Sequence, residues 1–100
     1  MKRRTVIYSP EAAEDLDRIY GIVADAGDPL TADRYDQRIR ALCERLDHAS
    51  ERGTLREDVR PGLRIVGFER RITVAFAVDE DRVTILRLFY GGANWEGLDW

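Results

Sequence analysis

Apolar positions along this chain recur with two different periods. Thr5-Val6-Ile7-Tyr8 is a short β-prone run that predicts an opening strand. From Ser9 the spacing changes. Ala12, Leu16, Ile19, Tyr20 and Val23 fall three and four apart, which gathers them on one face of a helix. Ser9-Pro10-Glu11 supplies the start of that helix: a capping hydroxyl, a proline whose φ is already helical, and an acid beside the positive end of the helix dipole. Gly27 reads as the C-cap, and Asp28-Pro29 repeats the cap-and-proline start. The second stripe is Ala32, Tyr35, Ile39, Leu42, Cys43, Leu46 and Ala49. So few residues separate the helices that they are expected to pack as an antiparallel hairpin.

Residues 50–62 lose the pattern. Ser50, Gly53, Pro61 and Gly62 interrupt it, and the segment reads as mostly loop. Three β-prone runs follow, Leu63–Phe68, Arg71–Val78 and Arg82–Tyr90. In the middle run Ile72, Val74, Phe76 and Val78 alternate with Thr73, Ala75 and Ala77, the period of a strand. Glu69-Arg70 and Asp79-Glu80-Asp81 are short polar links, so the runs should form a three-stranded antiparallel meander. Strand, helical hairpin and meander make one α+β domain over residues 1–100, with the helices on one face of a sheet.

Composition agrees with a packed domain. Hydrophobic residues are 44% and charged residues 35% of the 100, enough apolar surface to build a core. No apolar run approaches the roughly 18 residues of a membrane span. The basic opening, Met1 to Arg4, precedes too few apolar residues for a secretory leader. The lone Cys43 has no internal disulfide partner and fits a reducing compartment, so a cytoplasmic location is expected. A net charge of −3 argues against a general polyanion-binding surface, and neither a membrane nor sequence-specific nucleic-acid binding is expected. Lys2 is the single lysine among the sixteen basic residues. Arginine's planar fork suits bidentate recognition and buried pairs, although a GC-rich genome gives the same bias.

The familiar enzyme signatures are missing. One cysteine and one histidine cannot supply a His/Cys metal cluster, and neither a metal nor a cofactor is expected. Gly91-Gly92 alone is not a phosphate-binding loop. Ser9 is better explained as a helix cap than as a nucleophile, and His48 as a cation complementing a helix C-terminus than as a general base. Asp15 and Asp36 are expected on solvated helix faces, and Tyr20 and Tyr35 in the core or lining a groove. Arg60, Arg64, Arg70, Arg71, Arg82 and Arg87 cluster around the β-prone runs. Arg87 interrupts Val83-Ile85-Arg87-Phe89, which sets a cation on a buried face and demands an anionic or carbonyl partner, from the chain or from a ligand. Trp95 and Trp100 close the chain as interface anchors or as residues folded back on the core. With no helix or strand periodicity, residues 91–100 are expected to matter more for action on a target than for folding.

Taken together, these residues resemble a known family. Tyr8-Ser9-Pro10-Glu11-Ala12-Ala13-Glu14-Asp15-Leu16-Asp17-Arg18-Ile19-Tyr20 is similar to the opening of ParE toxins of the RelE/ParE superfamily. Arg60-Pro61-Gly62-Leu63-Arg64 resembles their glycine-then-arginine approach to the sheet. Val83 through Gly92 resembles their last core strand and the turn after it. The resemblance covers nearly the whole chain in order and implies a RelE/ParE-like fold.

It also implies the toxin of a type II toxin–antitoxin system. ParE-like members poison DNA gyrase and are silenced in a hetero-oligomer by a ParD-like antitoxin encoded beside them. On this reading Arg64, Arg87, Tyr90, Trp95 and Trp100 face the target. Leu16, Ile19, Tyr20 and Tyr35 line a groove for an amphipathic antitoxin segment. RelE-like members instead cut messenger RNA on the ribosome, in which case Arg64 and Arg87 would hold phosphate and Tyr90 would transfer a proton. The chain has no late lysine or histidine, and arginine is a poor acid or base, which favours the gyrase reading. A degenerate toxin that only binds antitoxin is the third alternative. Two positions depart from the ParE pattern: Tyr90 where the family often has histidine, and Asn94-Trp95 where it often has Arg-Asp.

Overall fold

The computed structural model describes residues 3–48 and 52–100. Its elements are β1 (Thr5–Tyr8), α1 (Pro10–Ala26), α2 (Pro29–Arg45), β2 (Thr54–Leu55), β3 (Arg64–Phe68), β4 (Ile72–Val78) and β5 (Arg82–Tyr90), then a 3₁₀ turn at Trp95–Gly97. The sheet order is β1-β5-β4-β3-β2. β1 runs parallel to β5, and the other pairs are antiparallel. The expected meander is therefore the centre of a five-stranded mixed sheet. The caps are those expected: the Ser9 hydroxyl accepts from the Ala12 N–H at 3.0 Å, and the Asp28 carboxylate from the Thr31 N–H at 2.8 Å.

Residues 50–62 are not all loop. Thr54–Leu55 adds a two-residue edge strand to β3, too short to leave a period in the sequence. Gly53 makes the approach possible. Its φ is +80°, and a Cβ there would stand 2.2 Å from the Ile65 carbonyl oxygen. Ala49, the last residue of the expected second stripe, lies outside the described residues.

The sheet is covered on both faces. On one, Leu16, Ile19, Ile39, Leu42 and Leu46 from the hairpin meet Val74, Phe76, Val83, Ile85 and Leu88. On the other, Leu63, Ala75 and Phe89 are covered by Ile65, Leu86, Trp95 and Trp100. β5 serves both faces through a bulge. Phe76 stands opposite Ile85 and Ala75 opposite Arg87, so Leu86 is the extra residue. Beyond it the phase is reversed. Val83 and Ile85 face the helices, then Leu88 and Tyr90 do, while Phe89 turns to the second face. Arg87 therefore does not interrupt the buried row; the row steps past it.

β1 ends opposite Ile85, and α1 then runs along the edge of β5 that β1 leaves open. Ser9 donates from its N–H to the Ile85 carbonyl at 2.9 Å and from its hydroxyl to the Leu86 carbonyl at 2.8 Å. Nearly two turns further along α1, Asp15 takes four hydrogen bonds. Arg87 donates through Nε at 2.7 Å and Nη2 at 3.2 Å, the Leu88 N–H at 2.9 Å, and Arg18 Nη2 at 2.8 Å. Asp15 was expected on a solvated face and is instead 0% exposed. Its position explains this, because 12, 15, 16 and 19 form one helical face and Asp15 belongs to the apolar stripe. Asp36 is half-buried and accepts from Arg40 Nε one turn along α2.

Burial by itself raises the Asp15 pKa, but hydrogen bonds from Arg87, Leu88 N–H and Arg18 outweigh it and hold the carboxyl below its usual range. Because folding lowers this pKa, the stabilisation is full above the ordinary carboxylate value of roughly 4. It is lost as pH falls through the lower folded value. Asp15→Ala is expected to cost about 3–5 kcal/mol in urea denaturation, by stranding the charge of Arg87 and the Leu88 N–H. The variant should also lose part of the wild-type decline in stability below about pH 4. Cys43 is fully buried, and that burial pushes its thiol up to about 11. Alkylation by iodoacetamide at neutral pH, followed by intact mass, should leave the native protein unmodified and label the unfolded chain.

Candidate functional site

The residues expected to act together sit in different rows of the sheet. Arg64 stands opposite Phe76, which stands opposite Ile85, whereas Tyr90 stands opposite Ile72, which faces Phe68. Arg64 and Tyr90 are thus four rows apart, roughly 13 Å along the strands, with β4 between them. Arg87 shares the row of Ile65 and Ala75, in phase with the second face, and Arg64 is in phase with Val66 on the helix side. The Arg87 guanidinium is bound to Asp15 and also lies 5.0 Å from the Phe89 ring centre.

Of the four residues expected to line a partner groove, three are core. Leu16 and Ile19 are each 2% exposed and Tyr35 is 8% exposed; their side chains hold the hairpin to the sheet. Tyr20 is half-buried and donates its hydroxyl to Asp33 at 2.6 Å. The large apolar side chains that the hairpin leaves in solvent are Ile22, 40% exposed, and Leu30, 57% exposed, near the turn that joins its helices. His48 joins Asp47 at 2.6 Å, and Asp47 also receives Arg3 at 2.8 Å.

The C-terminal segment contributes more to the fold than its sequence suggested. Trp95 stacks on Phe89 with ring centres 6.4 Å apart, and Trp100 meets the same ring edge-on at 6.1 Å. The Trp100 indole N–H donates to the Trp95 carbonyl at 3.0 Å, and Arg56 joins Glu96 at 2.6 Å while lying 5.1 Å from the Trp95 ring centre. These contacts give an aperiodic segment a tertiary place: it is the cover of the second sheet face. Two hollows flank it. One of about 280 Å³ lies between Glu11, Arg60, Arg87 and Trp100, and another of about 290 Å³ between Arg18, Ile22, Tyr90 and Asn94. Arg87 and Leu98 border both.

A third cluster, missed in the sequence, gathers beneath the hairpin where it meets the β3–β4 turn. Glu69 and Arg70 form that turn with φ of 49° and 63°. Arg38 of α2 grips the Glu69 carboxylate through two bonds of 2.9 and 3.2 Å. Beside them Val23, Thr31, Tyr35, Arg38, Arg71 and Tyr90 enclose about 200 Å³. The signal available was modest: Arg38 lies one helical turn after Tyr35, next to the buried stripe. Among the described residues no group of His, Cys, Asp and Glu could hold a metal ion, and no helix is long and apolar enough to cross a membrane.

Known proteins share this architecture. A family model described as the ParE toxin of the type II toxin-antitoxin system parDE matches residues 6–95. A solved structure, "Chromosomal ParDE TA system from P. aeruginosa", contains a chain that superposes with a TM-score of 0.78 at 26% sequence identity, over 89% of this chain and 97% of that one. No curated protein matches the sequence. The match runs from the opening strand, through the hairpin and the whole meander, to Trp95, and on that ground this chain belongs to the ParE toxin family of type II toxin–antitoxin systems.

Proposed function

We propose that this toxin acts on DNA gyrase and is held in check, in a cytoplasmic hetero-oligomer, by a ParD-like antitoxin encoded beside it. The observation that carries the reading is the family match over residues 6–95. The geometry supports gyrase over messenger RNA as the target. RNA cleavage needs a proton donor, a proton acceptor and a phosphate clamp within reach of one bond. Arg64 and Tyr90 lie four rows apart, and the Arg87 guanidinium is already engaged by Asp15. Trp95 and Trp100 are both half-buried and keep part of their large rings at the surface, and Trp100 borders the first hollow. That suits them to anchor a protein target, with Arg64 and Tyr90 proposed to add separate contacts and Arg87 to shape the surface through its pair with Asp15. The antitoxin segment is proposed to reach Tyr20 and the rim above Leu16, Ile19 and Tyr35.

Purified protein should inhibit gyrase supercoiling while leaving messenger RNA on programmed ribosomes intact. Ribosome-dependent cleavage with unaffected gyrase would establish the ribonuclease alternative, and neither activity in an antitoxin-binding protein the degenerate one. Trp100→Ala is expected to stay folded by circular dichroism and to weaken gyrase inhibition about tenfold or more. Truncation after Tyr90 uncovers Phe89 and should cost stability as well, by about 3–5 kcal/mol in urea denaturation.

A further inference from the structure

Arginine and tyrosine line the cavity under the hairpin turn, and among the described residues no carboxylate does. The Tyr35 hydroxyl is buried and has no hydrogen-bond partner among the described residues. Arg71 is exposed, and among the described residues its guanidinium reaches only the Tyr90 hydroxyl, at a long 3.5 Å. Both carboxylate oxygens of Glu69, the acidic group at this turn, are taken by Arg38. A buried phenol without a partner costs stability that a core phenylalanine would not. Val23 and the two tyrosine rings give the cavity apolar wall as well.

We propose that this cavity, lined by Tyr35, Arg71 and Tyr90, is a docking site for an acidic side chain of a partner polypeptide, flanked on that partner by apolar residues. A carboxylate supplies the missing acceptor. It can take the Arg71 fork in two parallel bonds and the Tyr35 hydroxyl in a third. Arg71, held by one long contact, is free to turn toward it. The volume of about 200 Å³ admits one side chain and falls below the roughly 300–1,000 Å³ of small-molecule pockets. Ile22 and Leu30, the chain neighbours of Val23 and Thr31, are the exposed apolar surface that the flanking residues would cover. Glu69 at the turn and the net charge of −3 work against a nucleic-acid backbone as the occupant. The site shares Tyr35 with the proposed antitoxin rim and Tyr90 with the proposed target surface, but the assignment does not depend on gyrase as the target, because it requires only a polypeptide of this chemistry.

The full-length protein would be titrated by NMR with acetyl-Leu-Glu-Leu-amide, its Gln counterpart, inorganic phosphate and a short oligothymidine. The acidic peptide is expected to shift the Arg71 Nε–H and Tyr35 ring signals saturably at millimolar concentration, with the Gln peptide about tenfold weaker. Arg71→Gln should weaken the acidic peptide by about tenfold. Tyr35→Phe should do the same while leaving the thermal midpoint of the free protein unchanged or higher, a combination that a purely structural tyrosine would not produce. Equal binding of the two peptides, or a Tyr35→Phe variant that binds like wild type, overturns the proposal. So does a response to phosphate or oligothymidine alone, which would assign the cavity to nucleic acid.

Discussion

The contact between Asp15 and the bulged edge of β5 is the constraint on which the rest of this fold depends. β5 spans nine residues and β1 only four, so β1 cannot complete the hydrogen bonding of that edge. α1 completes it with side chains: the Ser9 hydroxyl meets the Leu86 carbonyl, and the Asp15 carboxylate meets the Leu88 N–H. A carboxylate with no solvent exposure would be costly by itself. Two arginines and a backbone amide repay that cost and tie the first helix to the last strand across 72 positions of sequence.

The bulge at Leu86 gives the same strand a second duty. By reversing the phase between Ile85 and Leu88 it sends Phe89 to the face that the helices do not cover. A second apolar cover is then needed, and Trp95 and Trp100 provide it. The surface proposed to meet the target is therefore continuous with the core. The hollows beside the tail share Arg87, so the internal ion pair also shapes the candidate interface.

Much of this was legible in the chain. The caps at Ser9 and Asp28, both helical stripes, β1 and the three strands of the meander follow from local rules, because capping and periodicity act within a few residues. Membership in the ParE family was legible for the same reason, since its motifs are ordered local patterns. Part of the site was written there too. Arg87 called for an anionic or carbonyl partner, and Asp15 falls within the apolar face of α1 although it read as solvated, but each half of the pair means little until the other is placed beside it.

Which face a residue finally occupies was decided only in three dimensions. The sequence by itself determined both helices, the opening strand, the meander and their order, and marked Arg87 as a cation in want of a partner. Tertiary structure decided that Asp15 is that counter-ion and that one extra residue in β5 reverses its phase. It also decided that Thr54–Leu55 extends the sheet, that the terminal tryptophans close its second face, and that Leu16, Ile19 and Tyr35 are core. The physical reason is common to all of these. Each depends on groups far apart in the chain competing for the same surface, and local pattern carries no record of which competitor arrives.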